Sequence, residues 1–186
     1  MQKPILYVNA CVRTQSRTDR IARALIKKLG GAAEEVCLKT EGLCPLSEER
    51  LAKRTALIEA GRYDDDMFRL SRQFAAAETI VVSAPFWDMS FPALLKLYVE
   101  NIYVTGIVSE YGADGRPHGL CRAGRLYYVT TAGGSYAPEY GYAYMQRLAT
   151  EHFGIPETAL VKAEMLDVEG FDAEEIVEKT IASLTL

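Results

Sequence analysis

Runs of β-branched and aromatic residues recur along the chain, separated by segments whose apolar positions keep a helical spacing. Ile5-Leu6-Tyr7-Val8 opens the series as a first strand, just before Asn9-Ala10-Cys11. From Thr18 the apolar positions fall at Ile21, Ala22, Leu25 and Leu29, one stripe of a helix that Gly30-Gly31 stops. A weaker strand covers Val36 to Leu38, and from Cys44-Pro45 to Asp66 a polar, Arg/Glu-rich stretch predicts a short helix within an irregular excursion. A second main helix follows at roughly Asp65 to Ala77.

Thr79-Ile80-Val81-Val82-Ser83-Ala84 is apolar on successive residues, as expected of a central parallel strand covered on both faces. Phe91, Leu94, Leu95, Tyr98, Val99 and Ile102 then follow the helical period, with Ser90 as the cap and Pro92 in the first turn. A Gly-rich loop spans Tyr111 to Gly119. A fourth strand, Leu126 to Thr131, runs into Ala132-Gly133-Gly134, and a Tyr-rich stretch leads to a helix from about Glu139 to Phe153. The fifth strand is expected over Ala159 to Met165, with Asp172-x-x-Glu175 as a capping box for the last helix. Five strands with intervening helices predict an α/β fold built on a doubly wound parallel sheet. No repeat, linker or low-complexity stretch divides residues 1–186, so the chain reads as one domain.

Composition excludes several classes. Apolar residues make up 49% and charged residues 25%, far from a disordered chain. The net charge, 21 − 25 = −4, leaves no basic footprint for nucleic acid. Ser83 and Asp88 break the longest apolar stretch well short of the roughly 20 residues that cross a bilayer. The N-terminus enters a strand without an apolar signal segment, which suggests a cytoplasmic protein. Four cysteines without a C-x-x-C pair and two histidines give no metal-ligand spacing; free thiols in a reducing compartment are expected.

In an open parallel sheet, ligands bind beyond the carboxyl ends of the strands. The loop after the first strand reads Arg13-Thr14-Gln15-Ser16-Arg17-Thr18, hydroxyls and guanidinium groups at the start of a helix. Unpaired N–H groups and the helix dipole favour an anion there, so the loop reads as a phosphate cradle without the glycines of a nucleotide fingerprint. The plainer alternative has Ser16 or Thr18 capping the helix and the arginines facing water. Cys11 followed five residues later by Arg17-Thr18 also matches the C-x5-R-[ST] loop of cysteine-dependent phosphatases, in which a thiolate attacks phosphorus. The Asp-Pro acid that the low-molecular-weight tyrosine phosphatases carry near the C-terminal side has no counterpart here.

The loop after the third strand, Ala84-Pro85-Phe86-Trp87-Asp88-Met89, resembles the flavin-edge segment of the flavodoxin-like NAD(P)H:quinone oxidoreductases and FMN-dependent azoreductases. The likeness takes in the Gln15-Ser16-Arg17-Thr18 stretch and Thr130-Thr131-Ala132-Gly133-Gly134, three loops in order over nearly the whole chain. It implies a flavodoxin-like sheet of order 2-1-3-4-5 with helices on both faces, and FMN at its carboxyl edge. The phosphate would rest on Arg13, Gln15, Ser16 and Thr18, shielded by Arg17. Amides of Phe86 to Met89 would face the ring where charge develops, after Pro85, and Thr131, Ala132, Gly133 and Gly134 would approach its pyrimidine end.

The same resemblance implies hydride transfer from NADH or NADPH to flavin and on to a quinone, azo or similar flat aromatic acceptor, without a side-chain acid or base. Asp88 stands where many relatives have Asn, and Ala132 where Arg is frequent; a carboxylate beside the flavin would lower its potential. Tyr111, His118, Tyr136 and Tyr140 would line a substrate cavity at a homodimer interface, with His118 as candidate proton donor. Two other classes compete: a non-enzymatic electron carrier of the flavodoxin kind, and a phosphatase using Cys11 and Arg17.

Overall fold

The computed structural model describes residues 5–185, so a reading of the N-terminus that uses residues 1–4 lies outside them. Five strands form one parallel sheet: β1 (Ile5–Asn9), β2 (Ala33–Cys37), β3 (Thr79–Ser83), β6 (Arg125–Thr131) and β7 (Glu157–Ala163). Their order is β2-β1-β3-β6-β7, the expected 2-1-3-4-5 arrangement. A small antiparallel hairpin, β4 (Ser109–Tyr111) and β5 (Pro117–Gly119), occupies what the sequence reads as a plain Gly-rich loop.

Successive side chains of each central strand point to opposite faces, and both faces are covered. On one side Ile5, Tyr7, Val81, Tyr127 and Val129 meet α1 (Arg17–Leu29) and α6 (Ala173–Ala182). On the other, Leu6, Val8, Ile80, Val82, Leu126 and Tyr128 meet α3 (Arg69–Ala76), α4 (Ala93–Ile102) and α5 (Tyr142–Arg147). The remaining helix, α2 (Glu48–Glu59), fills most of the polar excursion and buries Leu57 in a satellite cluster with Phe68 and Val104.

Caps explain several boundaries. Ser16 caps α1 by accepting from Asp19 N, and Gly30, at φ 128°, ends it. Asp172 accepts from Glu174 N and Glu175 N at the start of α6, while Glu175 pairs with Lys179 instead of closing a reciprocal box. Ser90 does not cap α4. That helix starts behind Pro92 without a side-chain bond, because Ser90 closes a tight turn with Trp87 and its hydroxyl donates to Tyr140 O. The helix expected from Glu139 to Phe153 is a composite: a 3-10 turn at Pro138–Tyr140, α5, then a π-turn at Leu148–His152, with Gly141 breaking the first junction. The two outer strands begin two or three residues earlier than expected, at Ala33 and Glu157.

The chain runs from β1 outward to β2, then returns to β3 on the other side of β1, so strand order reverses between β1 and β3. Asn9 and Ser83 are partners at that junction. Ligand sites in doubly wound sheets form beyond such a switch point.

Candidate functional site

A cavity of about 870 Å³ opens at the carboxyl edge of the sheet, above the β1–β3 junction. Its walls come from the loop after β1, the start of α1, Pro85 to Trp87 after β3, Thr131 to Gly133 after β6, and Leu166 and Asp167 after β7.

The β1–α1 loop leaves a run of backbone donors uncommitted among the described residues. Cys11 N bonds to Asn9 Oδ1 and Asp19 N to Ser16 Oγ, but between them no backbone N–H from Val12 to Thr18 donates a hydrogen bond among the described residues. Such a run beside a helix N-terminus forms a concavity of positive potential. Four arginines line the same cavity. Three are matched by acids: Arg17 with Asp167 at 3.0 Å, Arg20 with Glu174 at 2.7 Å, and Arg23 with Asp19 and Glu35 at 2.9 Å. Arg13 has no ion-pair or hydrogen-bond partner among the described residues.

Thr18 is buried and its hydroxyl shares a 2.6 Å hydrogen bond with Thr131, joining the first loop to the third. Arg17, expected over the phosphate, lies on Asp167 and Leu166 O instead. The cavity also includes Arg20, Arg23, Asp19, Leu166 and Asp167, which sequence reasoning missed. All parallel strands end at this edge, so the fifth strand's loop belonged among the candidates.

Beyond β3 the chain makes a two-residue turn: Trp87 and Ser90 exchange backbone bonds of 2.8 Å across Asp88 (φ 48°) and Met89 (φ 66°). Asp, like Asn, adopts this left-handed conformation readily, so Asp88 meets the local requirement that an Asn would. Of the four amides expected to face the ring, two are already committed, Phe86 N to Thr131 O and Trp87 N to Ser90 O. Only those of Asp88 and Met89 remain unpaired among the described residues. Gly133 lines the cavity, and a Cβ there would sit 2.6 Å from Asp167 Oδ2, so its bareness also makes room for the β7–α6 loop.

The chain from residue 3 to residue 185 matches the model of a family described as having a flavodoxin-like fold. This chain belongs to that flavodoxin-like family. A curated relative, "FMN-dependent NADH:quinone oxidoreductase 2" of Clostridium acetobutylicum, is 33% identical over 95% of this chain and 94% of its own. Another, "FMN-dependent NADH:quinone oxidoreductase" of Clostridium perfringens, is 30% identical over 95% of this chain and 93% of its own. Among solved structures, an azoreductase from Bacillus anthracis superposes with a TM-score of 0.82 at 21% identity, covering 97% of this chain and 95% of that one.

Within this flavodoxin-like member, the expected outer shell is the part that shifts. Tyr136 is 7% exposed: its ring meets Phe86 edge-on at 4.9 Å and its hydroxyl accepts from Tyr142 N, so it packs inward and presents no substrate surface. Tyr142 bonds Thr158 and Tyr144 lies on Phe91, leaving Tyr140 outward from the Tyr-rich stretch. Tyr111 and His118 face solvent on the β4–β5 hairpin and do not line the cavity, nor do Asp88, Met89, Gly134 and Tyr140.

The setting of the thiol speaks against the phosphatase alternative. Cys11 is buried against Ser83, and burial pushes the thiol above its usual value despite lowering contacts from the Ser16 and Ser83 hydroxyls. A phosphatase nucleophile needs the opposite shift. Arg17, engaged with Asp167, is also withdrawn from the role that C-x5-R assigns it.

Proposed function

We propose that this chain is an FMN-dependent NADH:quinone oxidoreductase that carries hydride from the nicotinamide to a quinone, azo or similar flat aromatic acceptor. Bound FMN supplies the hydride-accepting and hydride-donating centre. The chain's own residues bind it and place it. The observation that carries this reading is the unpaired run of amides from Val12 to Thr18 beside Arg13, a donor set suited to a phosphomonoester. Thr14, Gln15 and Ser16 add side-chain donors at the same rim.

The cavity volume falls in the range of cofactor sites. Phe86 and Trp87 supply an aromatic wall on one side of the ring, and Thr131 to Gly133 the backbone wall on the other. Asp88 N and Met89 N stay unpaired at the tip of their turn among the described residues, just past the cavity wall that ends at Trp87. The relatives' printed names carry NADH as the reductant, and NADH is accordingly the expected co-substrate.

The functional unit is a homodimer of single-domain subunits. Support comes from Trp87, Met89 and Tyr140, which all present exposed apolar surface around the Ser90–Tyr140 contact at the cavity rim. Four free cysteines suit a reducing cytoplasm. Among the described residues no helix is long and apolar enough to cross a membrane, and no acid, His or Cys cluster could hold a metal.

The test is optical. The purified protein is expected to be yellow or to become so with FMN, to bleach anaerobically on NADH, and to recover colour on a quinone. Failure to bind FMN overturns the reading; bleaching without quinone turnover would return the chain to the electron carriers.

A further inference from the structure

We infer that Asn9 is a positioning residue for the phosphate cradle: one carboxamide clamps both ends of the loop, and two carboxylates hold that amide in the required orientation. The inference rests on the FMN reading above. Asn9 ends β1 and is 5% exposed. Its Oδ1 accepts from Cys11 N at 2.9 Å and from Ser83 Oγ at 3.3 Å, while its Nδ2 donates to Asp19 Oδ1 at 3.1 Å and to Glu35 Oε1 at 2.9 Å. Two donors and two acceptors are all that a carboxamide has, so its capacity is saturated. An inverted amide would set its NH₂ against the Cys11 N–H and its oxygen against two carboxylates. Only one orientation survives.

The consequences for the cradle are direct. The bond from Cys11 N to Asn9 Oδ1 is an Asx turn, which bends the chain as it leaves the sheet and starts the unpaired run at Val12. Asp19 lies in the first turn of α1, where that run ends. The amide oxygen therefore holds the loop's entrance and the amide nitrogen holds its exit. Asp19 is fixed in turn by Tyr7 OH at 2.6 Å and Arg23 Nε at 2.9 Å, and Glu35 by Arg23 Nη2 at 2.9 Å. The Arg23 guanidinium also lies 5.4 Å from the centre of the Tyr7 ring. Elements β1, β2, β3 and α1 all contribute to one polar network beneath the cradle.

Asn9→Asp tests this with no change of shape. The new carboxylate oxygen would face those of Asp19 and Glu35, with Arg23, Tyr7 and Cys11 as the other titratable groups around it. Like charges then push the α1 end of the loop away at high pH, and one shared proton restores the bond at low pH.

FMN and riboflavin, which lacks the phosphate, are titrated against wild type and variant from pH 8 to pH 5.5, reading flavin fluorescence. At pH 8 the variant is expected to bind FMN about tenfold more weakly than wild type, and the ratio to shrink toward one as pH falls. Its riboflavin affinity should stay within about twofold, because the uncharged ligand does not use the cradle. Asn9→Asp with Glu35→Gln restores the number of carboxylates and supplies a donor outside the cavity wall; it should recover FMN binding to within about threefold of wild type.

Equal weakening toward both flavins, or unchanged FMN affinity in a folded Asn9→Asp protein, overturns the inference. If Asn9→Asp does not fold, the double variant decides: FMN binding near wild type supports the clamp, and a double variant that fails to fold or to bind FMN overturns it. A wild-type protein that binds no FMN sinks the underlying reading instead, so the two failures are told apart.

Discussion

Arg13→Ala separates the arginine that serves a bound phosphate from those that serve the fold. Three of the four cavity arginines already face carboxylates, and their side chains are 39% (Arg17), 41% (Arg20) and 53% (Arg23) exposed, so each pair contributes at most about 1 kcal/mol. Arg13 faces no acid and is left to an incoming anion. A hydrogen bond assisted by charge contributes about 1.5 to 3 kcal/mol, which corresponds to roughly 10- to 150-fold in affinity. Arg13→Ala is therefore expected to weaken FMN binding by that factor and riboflavin binding by less than twofold, and to flatten the salt dependence of FMN binding. Arg20→Ala, which removes a cation engaged elsewhere, should cost less than about fivefold. The assay is built in: Trp87 is the sole tryptophan and lines the cavity, so quenching of its emission reports occupancy by either flavin. FMN affinity within twofold of wild type in Arg13→Ala, or equal losses for FMN and riboflavin, would refute the assignment.

Three further outcomes follow from packing and titration. Burial holds the Cys121 thiol up to about 12, and the buried Tyr98 and Tyr128 hydroxyls are raised as well. A folded value above the unfolded one means that the unfolded chain sheds protons first. These groups should thus leave stability unchanged below about pH 8 and lower it by about 1.4 kcal/mol per pH unit each once pH passes their unfolded values, near 8.5 for Cys and near 10 for Tyr; urea midpoints that stay flat from pH 8 to pH 11 would contradict this. Phe153→Ala removes a fully buried ring set edge-on to Phe74 at 5.2 Å and should lower unfolding free energy by about 3 to 5 kcal/mol in urea titrations. Gly119→Ala places a Cβ 1.9 Å from Gly154 N, a backbone atom that cannot yield locally, so thermal melting should drop and the β4–β5 hairpin should lose protection in hydrogen exchange.

The central strands were legible because both of their faces are apolar, which leaves little doubt about β1, β3 and β6. The outer strand β2 reads Ala-Glu-Glu-Val-Cys with only Val36 buried, and a pattern that thin lets its boundary drift. Ser90 carried the spacing of a cap, but a hydroxyl residue two positions before Pro92 serves a turn equally well, and the left-handed pair Asp88-Met89 settled the choice. Tyr136 looked like surface because a loop has no periodicity from which to infer an inward face. The proposed cradle stands out in the sequence as a dense run of hydroxyl and guanidinium residues. Asn9 was not, since a lone amide at a strand end has no spacing to betray the four partners that tertiary structure gathers around it. Asp167 escaped for a related reason: its loop holds no motif and gains meaning from Gly133 and Arg17.

The margins of the sheet carry a different message. Strand β2 exposes Glu34, and β7 bears Lys162 and a Glu157 bonded to Arg125. Charges along an open margin discourage another ribbon from adding to it. Two copies of this molecule will therefore not fuse their sheets into one continuous ten-stranded surface. A second copy would have to meet this molecule on some other surface.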